Sequence, residues 1–251
     1  MKNSDRIIFP LDGMTMVEAF PWLTALEGKI GYAKVGLELF FGDGAYGGWG
    51  TVEGTQVHGH RVMLDLKLHD IPATMEGATK RAVAMEVDLL TVHASAGREA
   101  MARCVKATNG SKTKIVAVTV LTSLSENFMQ RVWQPARAKA NMIPNVVERL
   151  TEEAIEAGVD HFVCSPHEAG LIRAICDEAD TIITPGIRLK DDDHDDQKRV
   201  DTPESAIANG ADLLVVGRAI RNSKDPEATI KIICDEIEKG KVHRYDGPSA
   251  Q

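Results

Sequence analysis

Three charged side chains lie in and just after a stretch that otherwise has the composition of a buried strand. The stretch is MLDLKLHDIPATM, residues 63–75, and the charges are Asp65, Lys67 and Asp70. Residues two apart in a strand share a face, so Asp65 and Lys67 are predicted to point the same way. Because a protein core avoids unpaired charge, this pattern indicates either a structural ion pair or a reaction centre.

Two neighbouring strand ends carry further charges of alternating sign. The first predicted strand ends in PLDG with Asp12, and the second carries Lys34 in AKVG. A salt bridge that fixes strand register is the structural alternative, but four charges from three adjacent strands exceed what such a device requires. At an effective dielectric constant of about 20, charges about 4 Å apart interact by roughly 4 kcal/mol, so an alternating array can keep its members ionised. Such an array can set a fixed field for a reaction that moves charge.

The elements that must position these charges are eight short runs rich in β-branched residues, which recur at fairly even intervals. They are RIIFPLD, YAKVGLELF, RVMLDLKL, DLLTVHAS, KIVAVTVLTS, HFVCSP, TIITPGI and LLVVGRAI. Stretches able to form helices separate most of them, at 73–85, 98–107, 146–157 and 226–239. Eight alternating units predict a single α/β domain, a closed (β/α)8 TIM barrel over residues 1–240. An open Rossmann-like sheet is the alternative, but its Gly-x-Gly-x-x-Gly turn is missing after the first strand.

Three segments fit the barrel pattern poorly. Residues 41–60 contain seven glycines, each of which costs roughly 1 kcal/mol in a helix interior, so a short or broken helix is predicted there. The long link at 124–145 ends near a proline, which suggests an extra surface turn before a helix near Val146. Residues 241–251 are predicted to form a frayed C-terminal tail.

The seventh and eighth strands end in residues suited to binding an anion. The seventh continues into TPGIR, with Pro185 and Arg188, and the eighth into VVGRAI, with Gly217 and Arg218. Barrels frequently bind phosphate at these two loops, where a glycine admits close approach of the backbone and an arginine can donate two hydrogen bonds. For Gly217, a glycine that only permits a turn is the alternative.

A polar loop, RLKDDDHDDQKR at 188–199, follows the seventh strand. Its length and polarity suit a lid that closes over a ligand, and a solvated acidic loop is the alternative. Arg188 and Gln197 are the members able to donate hydrogen bonds inward to a phosphate. Thr122 ends the fifth strand, where its hydroxyl could bond to a polar ring or simply begin a turn.

His93, in TVHAS of the fourth strand, faces the barrel interior if Thr91 does. A histidine there could bind a metal ion or form a hydrogen bond within the core. Because Lys34 and Lys67 are expected close by, a divalent cation would meet positive charge, and no metal site is predicted.

The composition argues against several classes of function. The formal net charge of −8 disfavours a nucleic-acid or anionic-membrane surface. Four scattered cysteines predict neither a disulfide framework nor a zinc site and fit a reducing cytoplasm. The charged Asp5 argues against a secretory signal, and the longest uncharged stretch, IVAVTVLTSLS, is far short of the ~20 residues of a membrane helix. We expect a soluble, cytoplasmic protein.

The stretch DLKLHDIPATM closely resembles the signature Asp-x-Lys-x-x-Asp-Ile-Pro-x-Thr of the orotidine 5′-monophosphate decarboxylase family, in its bacterial form. The agreement runs over nearly the whole chain, in order through PLD, KVGLELF, VHAS, VTVLTS, TPGIR, DDQKRVDTP and VVGRAI. The resemblance implies an enzyme of pyrimidine biosynthesis that removes CO2 from orotidine 5′-monophosphate to give uridine 5′-monophosphate. It also implies that this carboxy-lyase uses neither cofactor nor metal.

The resemblance further implies a role for each matched residue. Lys67 would donate the proton, Asp65 would lie beside the departing carboxylate, and Lys34 and Asp70 would complete the charged catalytic network. The enzyme would be a homodimer in which Asp70, Ile71 and Thr74 reach into the active site of the other subunit. Substrate binding would fall to a larger set, with the ribose at Asp12 and Lys34, the pyrimidine at Thr122, the phosphate at Arg188, Gln197, Gly217 and Arg218, and Pro185 also at the site.

Two other functions remain as alternatives. A metal-dependent sugar-phosphate decarboxylase or aldolase of the same barrel superfamily shares the Asp-x-Lys-x-x-Asp pattern. Such relatives carry an acidic residue on strand 2, where this chain has Lys34, and they lack the Ile-Pro-x-Thr continuation. A non-catalytic barrel that binds a phosphate ligand is the second alternative, and it is disfavoured because every matched catalytic position is intact.

Overall fold

The computed structural model describes residues 1–42, 47–133, 142–190 and 201–245. Eight parallel strands close into a barrel in sequence order, and β1 pairs with β8. The (β/α)8 barrel predicted from the alternating runs is therefore confirmed. The strands are β1 Ile7–Pro10, β2 Tyr32–Gly36, β3 Arg61–Leu68, β4 Leu89–His93, β5 Lys114–Val118, β6 His161–Val163, β7 Thr181–Thr184 and β8 Leu213–Val215.

Helices connect the strands, and several begin with the capping residues expected of them. Thr15 caps α1 in a reciprocal arrangement with Glu18, and Thr202 caps α9. Within the described ranges, no helix is long and apolar enough to cross a membrane. The helices are α1 Met16–Leu26, α2 Leu37–Phe40, α3 Trp49–Val57, α4 Pro72–Ala84, α5 Arg98–Ala107, α6 Glu126–Trp133, α7 Met142–Glu156, α8 Ala169–Arg173, α9 Pro203–Ala208, α10 Arg218–Arg221 and α11 Pro226–Tyr245.

The core has two layers because side chains alternate along each strand. Inside the barrel, a cluster of buried apolar residues fills the space between the strands. Between the strands and the helices lies a larger apolar layer, which includes the intervening residues Phe9 and Leu64. Met63 therefore faces inward and Leu64 outward, as the period of two predicts for β3. The inner cluster consists of Ile8, Met63, Leu89, Val116, Ile183 and Leu213.

The glycine-rich region after β2 forms two short helices instead of one long one. α2 has only four residues, and α3 begins at Trp49. The predicted broken helix is confirmed, and residues 43–46 lie outside the described part of the chain.

The link after β5 is more helical than predicted. Residues 126–133 form α6, which buries Met129, and α7 begins at Met142 and not near residue 146. Pro144 does not prevent this start because a proline in the first turn of a helix has no N–H that needs an intrahelical partner. The Glu126 carboxylate accepts hydrogen bonds from the N–H groups of Met142 and Ile143, which joins the two helices.

The C-terminal helix runs five residues past the boundary predicted at residue 240. Gly240 does not end it, because this glycine serves a close approach: an added Cβ would lie 2.4 Å from the carbonyl oxygen of Glu204 in α9. Arg244 then donates a hydrogen bond to Asp212 at 3.2 Å. Residues 241–245 thus belong to the helix, and 246–251 lie outside the described residues.

Candidate active site

Asp12, Lys34, Asp65 and Lys67 form one chain of contacts at the carboxyl end of the first three strands. Lys34 Nζ lies 2.8 Å from Asp12 Oδ2 and 3.2 Å from Asp65 Oδ2. Lys67 Nζ lies 2.8 Å from the same Asp65 Oδ2. The alternating array predicted from the sequence is therefore continuous, and a single carboxylate oxygen joins its two ammonium groups.

The centre of this array is buried, and its charges hold one another ionised. Burial alone would raise the pKa of Asp65, but the ammonium groups of Lys34 and Lys67 outweigh it and lower that pKa. Burial alone would lower the pKa of Lys34, but the carboxylates of Asp65 and Asp12 outweigh it and raise that pKa. A buried ion pair at neutral pH follows, of the kind that needs compensating partners on every side.

Lys67 departs from the regular geometry of β3. Its φ is 49°, in the left-handed region that residues with a Cβ seldom adopt. The pairing of β3 with β4 also shifts between Leu64 and Leu68. Bulges occur next to active sites, where they redirect a side chain. The lysine expected to donate a proton therefore lies at the one irregular point of its strand's pairing with β4.

Gly36, at the end of β2, makes room for the outer part of the array. An added Cβ there would lie 2.4 Å from Asp12 Oδ1 and 3.4 Å from Lys34 Nζ. A side chain at this position would therefore push Asp12 away from Lys34. Gly36 was not among the residues predicted for the site, although a glycine directly after a charged strand end was a signal for this role.

A cavity of about 300 Å³ opens at the carboxyl ends of the strands, the end where barrel enzymes place their active sites. The four charged residues of the array line it, together with residues from the loops after β5, β7 and β8. The structure thus brings nine of the thirteen predicted site residues to one cavity. They are Asp12, Lys34, Asp65, Lys67, Thr122, Pro185, Arg188, Gly217 and Arg218.

Two arginines reach the cavity from the loops after β7 and β8. Arg188 is buried, and its Nη1 donates a hydrogen bond to the carbonyl of Ile187 at 2.7 Å. Arg218 begins α10 directly after Gly217. An added Cβ at Gly217 would lie 2.8 Å from Pro10 Cγ, so packing against β1 is one reason for the glycine. These arginines supply the local positive charge that an anionic ligand requires in a protein of net charge −8.

The polar loop after β7 is fixed at both of its ends. Ile187 forms an isolated parallel bridge with Asp201, and the N–H of Arg188 donates to the Asp201 carbonyl at 3.0 Å. Gln197, predicted to contact phosphate, lies outside the described residues. The bridge therefore places the base of the loop beside the cavity.

Asp70, Ile71 and Thr74 do not line the cavity. Asp70 is exposed, and within the described residues its one polar partner is the N–H of Ile71, at 2.7 Å. Asp70 and Thr74 instead border a second hollow, which also contains Lys67 and the exposed Phe41. Lys67 is therefore common to the cavity and to this second hollow.

His93 lies close to Lys67 and His69. Its ring is 5.5 Å from that of His69, and burial, His69 and Lys67 together lower its pKa. In the part of the chain that the structure describes, no three His, Cys, Asp or Glu side chains are grouped so that they could hold a metal ion.

Two residues at the site were not among the predicted ones. Arg221 of α10 lines the cavity and donates a hydrogen bond to the backbone carbonyl of Asp12 at 2.7 Å, which joins the loop after β8 to the loop after β1. Thr91 of β4 is fully buried and contacts both Asp65 and Lys67. The interior-facing parity of β4 was the signal for Thr91, whereas Arg221 stands on a helix turn whose start the sequence did not indicate.

The arrangement can bind a phosphate-bearing molecule and act on the rest of it. Arg188 and Arg218 can donate charge-assisted hydrogen bonds to an anion. Lys67 offers a fixed ammonium that can stabilise developing negative charge and then donate a proton. Asp65, held ionised next to it, keeps that ammonium in place.

Comparison with known proteins agrees with this geometry. The chain matches the family described as Orotidine 5′-phosphate decarboxylase / HUMPS family over residues 5–233. The orotidine 5′-phosphate decarboxylase of Anaeromyxobacter dehalogenans is 40% identical to it over 233 residues, which cover 93% of this chain and 98% of that protein. The enzyme of the same name from Thermobifida fusca is 41% identical over 236 residues, covering 93% and 96%.

Solved structures give the same result. Orotidine 5′-phosphate decarboxylase from Lactobacillus acidophilus superposes with a TM-score of 0.75 at 28% identity, over 92% of this chain and 97% of that one. An uncharacterized conserved protein from Geobacillus kaustophilus superposes with a TM-score of 0.77 at 30% identity, over 92% and 99%. The chain therefore belongs to the orotidine 5′-phosphate decarboxylase / HUMPS family.

Proposed function

We propose that this protein decarboxylates orotidine 5′-monophosphate to uridine 5′-monophosphate and CO2 in pyrimidine biosynthesis, without cofactor or metal. The observation that carries the proposal is the partly buried contact between Lys67 and Asp65 at 2.8 Å, within a cavity that Arg188, Arg218 and Arg221 also line. Curated relatives named orotidine 5′-phosphate decarboxylase, matched over nearly their whole length, support the proposal.

In the proposed reaction, the bond between the ring carbon and the carboxylate breaks, and its electron pair stays on the ring carbon. CO2 leaves, and the Lys67 ammonium first stabilises this negative charge and then donates a proton to the same carbon. Solvent then returns a proton to Lys67. Lys34, with its raised pKa, keeps Asp65 ionised so that Lys67 enters each cycle as an ammonium.

The remaining predicted residues are assigned to binding. The phosphate contacts Arg188, Gly217, Arg218 and the loop that carries Gln197, and Pro185 packs beside it. Thr122 donates or accepts at the pyrimidine, and the Asp12–Lys34 pair contacts the ribose. Because the phosphate is remote from the reacting carbon, its binding energy can be expressed in the transition state.

A decarboxylation assay in the presence of a chelator tests the proposal against its metal-dependent rival. We expect purified protein to convert orotidine 5′-monophosphate to uridine 5′-monophosphate at an unchanged rate after treatment with excess chelator. A sugar phosphate that carries a carboxylate group is assayed in parallel as a substrate of the metal-dependent rival, and it should not react. Loss of activity on chelation, with recovery on adding magnesium, would favour a metal-dependent decarboxylase or aldolase.

The assembly we propose is a homodimer in which Asp70, Ile71 and Thr74 act in the partner's cavity. Ile71 is 65% exposed and stands at the N-cap of α4, a position where isoleucine stabilises a helix poorly. Phe41 is 76% exposed and borders the same hollow as Asp70 and Thr74. Apolar side chains that remain exposed next to the mouth of an active site are accounted for if a second copy of the chain covers them.

Mixing inactive subunits tests the shared site. Lys67→Ala lacks the proton donor of its own barrel, and Asp70→Ala lacks the group offered to its partner. In a two-fold symmetric dimer, an equal mixture with free subunit exchange should recover about one quarter of wild-type activity, because half of the dimers are mixed and each has one intact site.

The matched control is a mixture of Lys67→Ala with Asp65→Ala. Each of these substitutions removes a group from the cavity of its own barrel. Both cavities of a mixed dimer are therefore defective, and no activity should return. An absence of recovery in the first mixture, under conditions where subunits demonstrably exchange, would contradict the shared site. The cytoplasmic location expected from the scattered cysteines stays a prediction.

A further inference from the structure

Thr91 has a buried hydroxyl that reaches two members of the catalytic array at once. The residue lies on β4 and is 0% exposed. Its Oγ1 accepts a hydrogen bond from the backbone N–H of Lys67 at 2.9 Å and donates one to Asp65 Oδ1 at 3.0 Å. The Leu64 carbonyl, at 3.5 Å, is the more distant acceptor for the same proton. No other described hydroxyl contacts both residues.

This hydroxyl bridges the irregular point of the β3–β4 pairing. Leu64 pairs with Leu90, and the next pair along the strands joins Leu68 to Val92. Three residues of β3 therefore face the single residue Thr91. Within this offset, the N–H of Lys67 donates a hydrogen bond to the side chain of Thr91. The left-handed conformation of Lys67 is thus fixed from the neighbouring strand.

The two oxygens of the Asp65 carboxylate have separate partners. Oδ2 contacts both ammonium groups, of Lys34 at 3.2 Å and of Lys67 at 2.8 Å. Oδ1 is held by Thr91. Without the hydroxyl, the carboxylate could rotate about its last bond and share its charge between the two lysines differently, which would move Lys67 Nζ.

We propose that Thr91 is a positioning residue for the decarboxylation, whose hydroxyl orients the Asp65 carboxylate and fixes the backbone of Lys67. The inference rests on the proposed function for the step that it assists. Thr91 itself is not among the residues that line the cavity. Its contribution lies in holding the proton donor at the distance and angle that the reaction requires.

Two substitutions separate the hydroxyl from the shape of the side chain. Thr91→Val keeps the volume and removes the hydroxyl, and we expect kcat to fall about 10- to 100-fold, since displacements near 1 Å have effects of this size. The KM should change by less than about 3-fold, because the groups proposed to bind the substrate are untouched. Thr91→Ser keeps the hydroxyl, and its kcat should stay within about 3-fold of the wild type.

Thr113→Val is the matched control. Thr113 is also a buried threonine, and its hydroxyl donates to the carbonyl of Val87 at 2.7 Å, just before β5 begins and away from the cavity. A similar loss of thermal stability in Thr91→Val and Thr113→Val, with kcat reduced in Thr91→Val alone, supports the positioning role. An unchanged kcat in Thr91→Val overturns it, as does an equal loss in Thr91→Ser.

A crystal structure of the Thr91→Val protein provides a test that does not depend on activity. We expect the Asp65 carboxylate to rotate and Lys67 to leave its left-handed conformation, and an unmoved pair would overturn the inference. If Thr91→Val fails to fold, the kinetics and the crystal structure of Thr91→Ala provide the same two tests. Failure of the proposed function would appear differently, as a wild-type protein that does not decarboxylate orotidine 5′-monophosphate at all.

Discussion

Two clusters of charged side chains lie at opposite ends of the barrel and differ in what their hydrogen bonds reach. At the N-terminal end, Asp212 precedes β8 and forms ion pairs with Arg6, Arg173 and Arg244. Arg6 also donates to the backbone carbonyl of Asp212 at 2.9 Å, and Arg173 donates to the carbonyls of Gly210 and other loop residues. This cluster ties chain segments together through the backbone.

The cluster at the C-terminal end consists of charges that contact one another and line a cavity. Lys34 bonds to two carboxylates, and within the described residues Lys67 Nζ has the Asp65 carboxylate as its one hydrogen-bond partner. An ammonium has three donors, so Lys67 retains two for a ligand. A left-handed backbone and a bulge also occur here.

The difference shows how the same residue types serve stability at one end of a barrel and chemistry at the other. At the N-terminal end, the arginines donate to backbone carbonyls, and the Asp212 carboxylate also accepts a hydrogen bond from the backbone N–H of Ile182 at 2.9 Å. At the C-terminal end, Lys34 and Asp65 hold each other ionised and line the cavity, where a substrate can complete the hydrogen bonds of the array. The two clusters should therefore respond to substitution in opposite ways.

The largest expected effect is on turnover. Lys67→Ala should reduce kcat by at least about 10³-fold, because it removes both the fixed charge and the proton donor. Binding of uridine 5′-monophosphate should persist, since the arginines and Thr122 remain. Lys114→Ala, which removes an exposed ion pair with Asp160 at the other end of the barrel, is the control and should leave kcat within about 2-fold. A near-normal kcat in Lys67→Ala would remove this lysine from its role.

The next effect is on stability, at the opposite cluster. Asp212→Ala leaves three partly buried arginines without their shared carboxylate, and we expect the free energy of unfolding to fall by about 3 kcal/mol. The kcat of the folded fraction should stay within about 2-fold of the wild type. Urea unfolding and kinetics below the transition check both statements. A strong loss of kcat in fully folded protein would show that the two ends are not separable.

A pair of glycine substitutions sharpens the same contrast at smaller scale. Gly36→Ala pushes Asp12 away from Lys34, and kcat/KM should fall about 10-fold with little change in stability. Gly210→Ala places a side chain at a φ of +110° and 3.0 Å from Arg173 Cβ, so the free energy of unfolding should fall by about 1–2 kcal/mol with unchanged kcat/KM. A loss of stability in Gly36→Ala together with a loss of kcat/KM in Gly210→Ala would contradict the proposed difference between the two clusters.

The smallest expected effect concerns the dependence of stability on pH. Asp65 has a lowered pKa in the folded protein, because its two ammonium neighbours outweigh burial. As the pH falls below about 4, the unfolded chain binds a proton at this carboxyl before the folded protein does, so stability is lost. Lys34 has a raised pKa and acts at the other extreme, where stability is lost as the pH rises above about 10.

Asp65→Asn checks the acid limb. Urea midpoints measured from about pH 5 down to pH 3 should fall less steeply in this variant than in the wild type, by the contribution of one carboxyl group. If the urea midpoints of the two proteins fall equally steeply with pH, the pKa of Asp65 is not lowered in the folded protein.

The sequence predicted those features that depend on local pattern. The eight runs rich in β-branched residues were enough to predict the barrel. The period of two along β3 predicted that Asp65 faces the barrel interior, on the same side as Met63 and opposite to Leu64. The position of Asp12 and Lys34 at neighbouring strand ends was enough to predict a continuous charged array. These properties follow from residue spacing, which can be read directly from the sequence.

Features that depend on distant contacts could not be predicted in this way. The left-handed conformation of Lys67 follows from the offset of β3 against β4, and strict alternation along one strand does not contain that offset. The last helix was predicted to span residues 226–239, but it continues through Gly240, which lies against Glu204 of another helix. The start of α7 at Met142 depends on the carboxylate of Glu126, sixteen residues earlier.

A crystal structure with bound uridine 5′-monophosphate tests the central claim most directly. We predict the phosphate at Arg188 and Arg218, and the ring carbon that receives the proton within about 3.2 Å of Lys67 Nζ, the reach of a hydrogen bond. Asp70 of the partner subunit should lie at the same site. A nucleotide whose ring lies away from Lys67, or whose phosphate is bound elsewhere, would contradict the account.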